Sequence, residues 1–244
     1  VEVLFVNQAQ DDLPEGFESC KGRSRPWGTA HALWCARHVI DGPLIVINAD
    51  DFYGRDAYRT LAAALGENRH CHLAGYALGN TLSDHGGVSR GLIELDSAGW
   101  VQRVREALDL RADSSSTVQG NGSSEHVIGK LRQGEKIVVS RLDPISMNLW
   151  GFPPETLDDL GGRFERFLGN EPKPDPEFYL SQARGGIIKM ERAQCSLLQT
   201  NAQWLGITFP EDHAGVVSAL AELVAQAEYP GDLNGAWKAI VESR

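Results

Sequence analysis

The chain has 244 residues, 42% of them hydrophobic and 23% charged, with a formal net charge of −10 at neutral pH. That length and apolar share suffice for a sizeable core, expected as a single domain over residues 1–244. The acidic balance, with no compensating basic run, argues against a nucleic-acid surface. No apolar stretch approaches membrane-spanning length and no secretory signal opens the sequence, so no membrane partner is expected and the cytoplasm is the expected compartment.

In chain order, VEVLFVN (residues 1–7) reads as a strand, followed by a polar loop. Pro26-Trp27-Gly28-Thr29 reads as a turn, with Thr29 as N-cap of a helix over residues 30–39. Leu44-Ile45-Val46-Ile47 is a short β-branched run, suited to a strand buried on both faces of a parallel sheet. Residues 55–65 read as an amphipathic helix with Tyr58, Leu61 and Leu65 on one stripe, and residues 71–78 as a strand ending at Gly79-Asn80. Residues 91–95 and 100–105 flank the turn cluster Asp96-Ser97-Ala98-Gly99 as a hairpin. The Ser- and Gly-rich stretch at 113–124 predicts a mobile surface loop, and Lys130, Arg132 and Lys136 a solvated loop face. Strands are expected at 137–140 and 146–151, a helix at 154–167 with Pro154 in its first turn, and an amphipathic helix at 214–227. Helices and strands alternate, as in an α/β fold. The cysteines, Cys20, Cys35, Cys71 and Cys195, have no C-x-x-C spacing and read as reduced thiols.

The chemistry concentrates in residues 25–54. Asn48, Ala49, Asp50 and Asp51 follow the apolar strand at its carboxyl end, where open α/β sheets place their ligands. Adjacent carboxylates repel unless a cation or hydrogen-bond donors compensate. Thiol-free, oxygen-rich surroundings suit Mg2+, although Asp51 reads equally well as a turn residue. Gly28 would let a flat ring or a phosphate approach the backbone at a helix N-terminus. Trp27 is the aromatic best placed to stack on a base, whereas Trp34, Trp150 and Trp204 read as core or pocket walls. His31 reads as a ribose or phosphate contact or, equally, as a structural residue. His70 and His72 share a face, with no third metal ligand nearby in sequence. Glu211 and Asp212 read as metal ligands or as a helix cap.

DDLPEGF, PWGTAHA, INADDFYG, LGNTLSDHGGVSRG, SMNLWGF and WLGITFPED resemble, in order, a bacterial subgroup of the sugar-nucleotidyltransferase superfamily. GTAHALWCAR resembles a helix of its uridylyltransferase branch, which is related to the thymidylyltransferases. The likeness weakens between residues 113 and 136 and between 181 and 199. It implies a Rossmann-like open mixed sheet flanked by helices, and transfer of a nucleoside monophosphate from a nucleoside triphosphate to a sugar 1-phosphate, with Mg2+ as cofactor and pyrophosphate released. Asp50 would be the catalytic residue that holds Mg2+, with Asp212 as substitute second metal ligand. Gln8 would meet the nucleobase, and Pro26, Gly28 and Thr29 would line base and ribose. Gly87 and Val88 would cover the sugar, and Glu106, Asn148 and Glu177 would approach its hydroxyls.

The chain also departs from the pattern. The family's glycine-rich loop with Arg and Lys has no counterpart, so the chain is expected to be truncated at its N-terminus, leaving sheet surface that invites self-association. Ala107 stands where many members carry a Lys that binds the sugar phosphate, and Gly206 where a second metal-binding Asp is usual. Two alternatives stay open. One is a non-catalytic nucleotide- or sugar-binding module. The other is a metal-dependent glycosyltransferase, against which the adjacent rather than alternate aspartates count.

Overall fold

A computed structural model describes residues 2–18, 23–113, 125–170, 177–180, 194–233, 235, 236 and 238. Its centre is an eight-stranded mixed sheet. The strands are β1 (Leu44–Val46), β2 (Cys71–Ala77), β3 (Val88–Leu95), β4 (Val101–Ala112), β5 (His126–Leu131), β6 (Lys136–Ser140), β7 (Pro144–Phe152) and β8 (Cys195–Gln199). They run in the order β6-β5-β4-β3-β7-β2-β8, with β1 added to β7. Among the described strands β2 and β8 alone pair in parallel; the other pairings are antiparallel.

Helices α1 (Thr29–Cys35) and α3 (Thr156–Gly169) cover one face. There Trp27, Ala30, Leu33, Leu160, Phe164 and Phe178 pack with Leu73 and Trp150 of the sheet. Helix α2 (Arg55–Glu67) covers the other, setting Ala57 and Leu61 against Ala74, Tyr76 and Leu149. The alternation Leu73/Ala74 and Trp150/Leu149 follows from the period-two geometry of a strand, which feeds both cores from one segment. Gly151 lets α2 lie close, because a Cβ there would stand 3.1 Å from Leu61 and 3.2 Å from Leu65. The β3–β4 turn is held by the Asp96 carboxylate, which accepts from the N–H groups of Ala98 and Trp100 at 2.9 Å each.

Several expectations need correction. Residues 2–7 form no strand; none of the described strands pairs with them, and Phe5 is 97% exposed. Apolar alternation gives a segment the capacity for a ladder but not the neighbour that completes it. β1 is antiparallel to β7 and only half-buried, not enclosed in a parallel sheet. Thr29 begins α1 rather than capping it: Gly28, at φ 106°, is the N-cap, and the Thr29 hydroxyl accepts from the Leu180 N–H. Lys130 and Lys136 lie in a β5–β6 hairpin, not a loop, and β8 was not anticipated. A fourth helix, α4 (Asp212–Ala225), forms near the expected position, with none of its residues buried. Residues 114–124 and Cys20 lie outside the described residues.

Candidate functional site

The sheet itself creates a cleft. β1 and β3 lie end to end along the same side of β7, with Val46 opposite Trp150 and Gly91 opposite Ser146. Between these registers Met147, Asn148 and Leu149 face neither strand. The gap opens into a cleft of about 670 Å³, lined by Asn48 and Asp51 after β1, by Ser89, Arg90 and Gly91 from β3, and by Asn148 of β7. Glu106, Arg105, Arg132, Tyr179, Trp204 and Thr208 also line it, as does Ser146. Asn148 adopts φ 60°, a left-handed conformation that Asn tolerates better than most residues, and stands exposed at the split. Ordered strain of this kind persists where surrounding bonds fix it. Here the Asn148 N–H donates to the Ser146 hydroxyl at 3.2 Å, and the preceding carbonyl, of Met147, accepts from the Tyr53 hydroxyl at 2.8 Å.

Tyr53 also orients the acid. Its buried hydroxyl accepts from the Asn48 N–H at 3.1 Å and lies 3.1 Å from Asp51 Oδ2. Having a single proton, it serves either Met147 or Asp51. Burial pushes its phenol well above the usual tyrosine value, so it stays neutral. The Asn48 side-chain amide donates to the same Oδ2 at 2.9 Å. Phe52 fixes the parity by exchanging backbone bonds with Leu205, so Asp51 and Tyr53 point to the same side. The cleft therefore receives Asp51, while Asp50 is exposed and lies outside its lining. No side chain stands at Gly206, where a Cβ would lie 2.9 Å from Asp51 Oδ1 and overlap the Trp204 indole.

Of the other expected residues, Glu106 and Asn148 meet in the cleft. Glu106 is engaged by Arg132 at 3.1 Å. Glu177 lies outside the lining, 3.9 Å from Arg25, and raises the pKa of the cleft residue Tyr179 together with burial, which is the larger cause. Gly87 and Val88 do not line the cleft. Val88 is core, 1% exposed, and the neighbouring Ser89, Arg90 and Gly91 take the lining positions. Asp212 neither joins the cleft nor caps α4, whose N-cap is Glu211: its carboxylate ties down the loop before the helix, accepting from the Ser83 hydroxyl at 2.7 Å and from the N–H groups of Thr208 and Phe209 at 3.1 and 2.8 Å. Burial opposes its ionisation, but those donors outweigh burial and hold its carboxyl below the usual range. Among the described residues no cluster of three or more metal-ligating side chains forms.

The turn expected to meet the base is assembled but occupied by the chain itself. Gln8 Nε2 donates to the Gly28 carbonyl at 2.9 Å and meets His31 Nδ1 at 3.2 Å. Residues 177–180 lie along the turn: the Phe178 N–H donates to the Trp27 carbonyl at 2.5 Å and the Ala30 N–H to the Phe178 carbonyl at 3.0 Å. Pro26 and the Thr29 side flank this pairing and remain exposed. Trp27 is 1% exposed, edge-on to Phe164 and Phe167, so it is core rather than a stacking platform. His31 is fully buried, with burial lowering its pKa, and its Nε2 meets the Asp12 carbonyl at 2.8 Å. His72 is buried beside the Ser196 hydroxyl, and His70 stands edge-on to Trp100.

Sequence reasoning missed Tyr53, Arg90, Arg132 and Tyr179. Tyr53 and Arg90 lay inside motifs already singled out, INADDFYG and HGGVSRG, and parity from Asp51 would have found Tyr53.

No helix of the described residues is long and apolar enough to cross a membrane. No family model matches the chain, and no curated protein is detectably similar in sequence. Solved structures do align with it. HddC from Yersinia pseudotuberculosis is 14% identical over 81% of this chain and 64% of that chain, with a TM-score of 0.44. The inositol-1-phosphate CTP transferase from T. maritima is 9% identical over 84% of this chain and 64% of its own, with a TM-score of 0.47. UDP-glucose pyrophosphorylase from Acinetobacter baumanii is 13% identical over 91% of this chain and 64% of its own, with a TM-score of 0.43. The chain thus spans a little under two thirds of the length of these structures.

Proposed function

We propose that the chain is a sugar-nucleotidyltransferase domain, built to bring a nucleoside triphosphate and a sugar 1-phosphate together. The observation that carries this reading is convergence. INADDFYG, HGGVSRG, SMNLWGF and WLGITFPED are far apart in sequence, yet each contributes to the one cleft at the β1/β3 split. In the reaction, a sugar 1-phosphate oxygen bonds to the α-phosphorus, the α–β bridging P–O bond breaks, and pyrophosphate leaves with the electron pair. Such transfer depends on positioning and charge stabilisation. Asn148, Ser146 and Glu106 offer hydrogen-bond partners for sugar hydroxyls, and Arg105 and Arg132 add positive charge to the same wall.

Mg2+ fits as an ion carried in with the nucleotide. Asp51 takes its hydrogen bonds on Oδ2 and turns Oδ1 toward Gly206, and Mg2+ needs only one or two carboxylates when phosphate and water fill its shell. When bound, it would neutralise charge on the transferring phosphate. Asp51, rather than Asp50, is the carboxylate suited to hold it; Asp212 would have to surrender three hydrogen bonds to join.

Calorimetry with UTP, CTP, dTTP, ATP and GTP, with and without Mg2+, tests the reading, followed by pyrophosphate release with a panel of sugar 1-phosphates. We expect Mg2+-dependent nucleotide binding that Asp51→Asn weakens and Asp50→Asn leaves nearly unchanged. Failure of all five nucleotides to bind would sink it. A non-catalytic binding module is the second reading, favoured by the backbone of residues 177–180 lying on Gly28 and by the small residues at 107 and 206. Nucleotide binding without any pyrophosphate release would select it.

A further inference from the structure

Arg90 is a cation placed where the cleft meets the core on the α2 side of the sheet. It is 9% exposed, yet it lines the cleft beside Asp51, Trp204 and Thr208. Its register partner across β3–β4 is Ala107, itself fully buried, so the residue opposite offers only a methyl group and no charge. Nε and Nη2 donate to the Thr81 carbonyl at 3.1 and 2.5 Å, and Nη1 to the Ser89 carbonyl at 2.8 Å. An arginine has five N–H groups, so one on each terminal nitrogen is left over. The Trp204 ring lies 4.9 Å from the guanidinium carbon and keeps that face dry.

The other cleft arginines have partners: Arg105 pairs with Glu94, and Arg132 with Glu106. Among the described residues Arg90 makes no ion pair. Of the acids that act on it from neighbouring elements, Asp212 at the start of α4 spends both oxygens on other donors, and Asp51 after β1 gives Oδ2 to Asn48 and Tyr53 and turns Oδ1 toward Gly206, so neither is bonded to the guanidinium. A buried guanidinium without a bonded carboxylate gains strongly from an anion that satisfies its fork.

We propose that Arg90 is the anion-receiving residue of the cleft and takes a phosphoryl group of the bound substrate through its two remaining N–H groups. This rests on the reading of the cleft as a nucleotide and sugar-phosphate site, and it assigns the phosphate to the β3 side rather than to a side chain at position 107. A planar fork suits phosphate and carboxylate alike, so the ligand series must separate them.

The test uses the full chain at low ionic strength. Inorganic phosphate, pyrophosphate and malonate are titrated calorimetrically into the wild type, Arg90→Gln, Arg90→Lys and, as a surface control on α2, Arg59→Gln. Pyrophosphate should bind the wild type and Arg59→Gln alike. It should bind Arg90→Gln roughly tenfold to a hundredfold more weakly, the loss expected for a hydrogen bond to a charged group. Arg90→Lys should recover part of that loss, and malonate should bind more weakly than pyrophosphate throughout. Pyrophosphate should also shift an arginine Nε resonance of the wild type that is absent from the spectrum of Arg90→Lys, a readout that holds even if Arg90→Gln does not fold. The proposal is overturned if a folded Arg90→Gln binds pyrophosphate within twofold of the wild type, if malonate binds as tightly as pyrophosphate, or if no arginine resonance moves. Nucleotide binding that survives unchanged in Arg90→Gln would refute this assignment alone; loss of nucleotide binding by the wild type would refute the underlying reading.

Discussion

Gly28→Ala separates two meanings of one glycine. If Gly28 is there so that a ring or a phosphate can approach the backbone, alanine should damage binding and leave stability nearly intact. The structure gives it a different task. Gly28 sits at φ 106° and ψ 179°, a region essentially reserved for glycine, and a Cβ would stand 2.6, 2.8 and 2.9 Å from the Phe178 backbone O, N and C atoms. Backbone strain there costs about 1–3 kcal/mol. Relieving the overlap means moving backbone rather than a side-chain tip, adding about 1–3 kcal/mol. A total near 4 kcal/mol is a large share of the roughly 5–15 kcal/mol typical of a domain. It should lower the thermal midpoint by about 8–16 °C at this chain length. Urea denaturation followed by tryptophan fluorescence reads it directly, because Trp27 lies beside the perturbed pairing. A midpoint within about 0.5 kcal/mol of the wild type, equivalent to an ordinary surface substitution, would refute the packing account and return Gly28 to the ligand.

Phe164→Ala should cost about 3–5 kcal/mol in the same assay. Its ring is fully buried and meets His31, Trp27, Trp34, Phe167 and Phe178 at once, so no neighbour can close the cavity without disturbing the others. Acidification should also destabilise the fold in a defined window. Burial holds His31 and His72 below the ordinary imidazole value of 6.5, so between their folded values and 6.5 the unfolded chain binds more protons than the folded one. Stability is therefore complete above 6.5 and falls as pH drops through the folded values; His31→Gln with His72→Gln should flatten the urea-midpoint profile between pH 7.5 and 5, and an unchanged slope would refute this.

Much of the fold was legible in the sequence where the signal is local. Asp96 and Gly99 announce the β3–β4 turn through their own hydrogen bonding and φ of 87°. The apolar run at 44–47 and the proline-led start of α3 announce themselves by composition and period. The placement of the aspartates just after a strand is equally local. What the sequence could not decide was pairing. Residues 2–7 carry the composition of a strand without acquiring a strand neighbour among the described residues, and the apolar pattern of 44–47 does not distinguish a parallel partner from the antiparallel β7 it meets.

The site divides in the same way. The residues themselves brought forward the aspartate pair 50–51, and the family resemblance named Asp50 as the metal carboxylate and Glu106 and Asn148 as sugar contacts. Choosing Asp51 required the Phe52–Leu205 bridge, which sets the parity, and the Tyr53 hydroxyl, which aims the carboxylate. Trp27, Gly28 and His31 look like ligand contacts in sequence because aromatic, flexible and titratable residues serve both cores and sites. Tertiary packing spent them on Phe164, Phe178 and Asp12 instead. Arg90 lay unnoticed in HGGVSRG, since the significance of a cation depends on what stands opposite it. That is Ala107, a fact of strand register that no local pattern encodes.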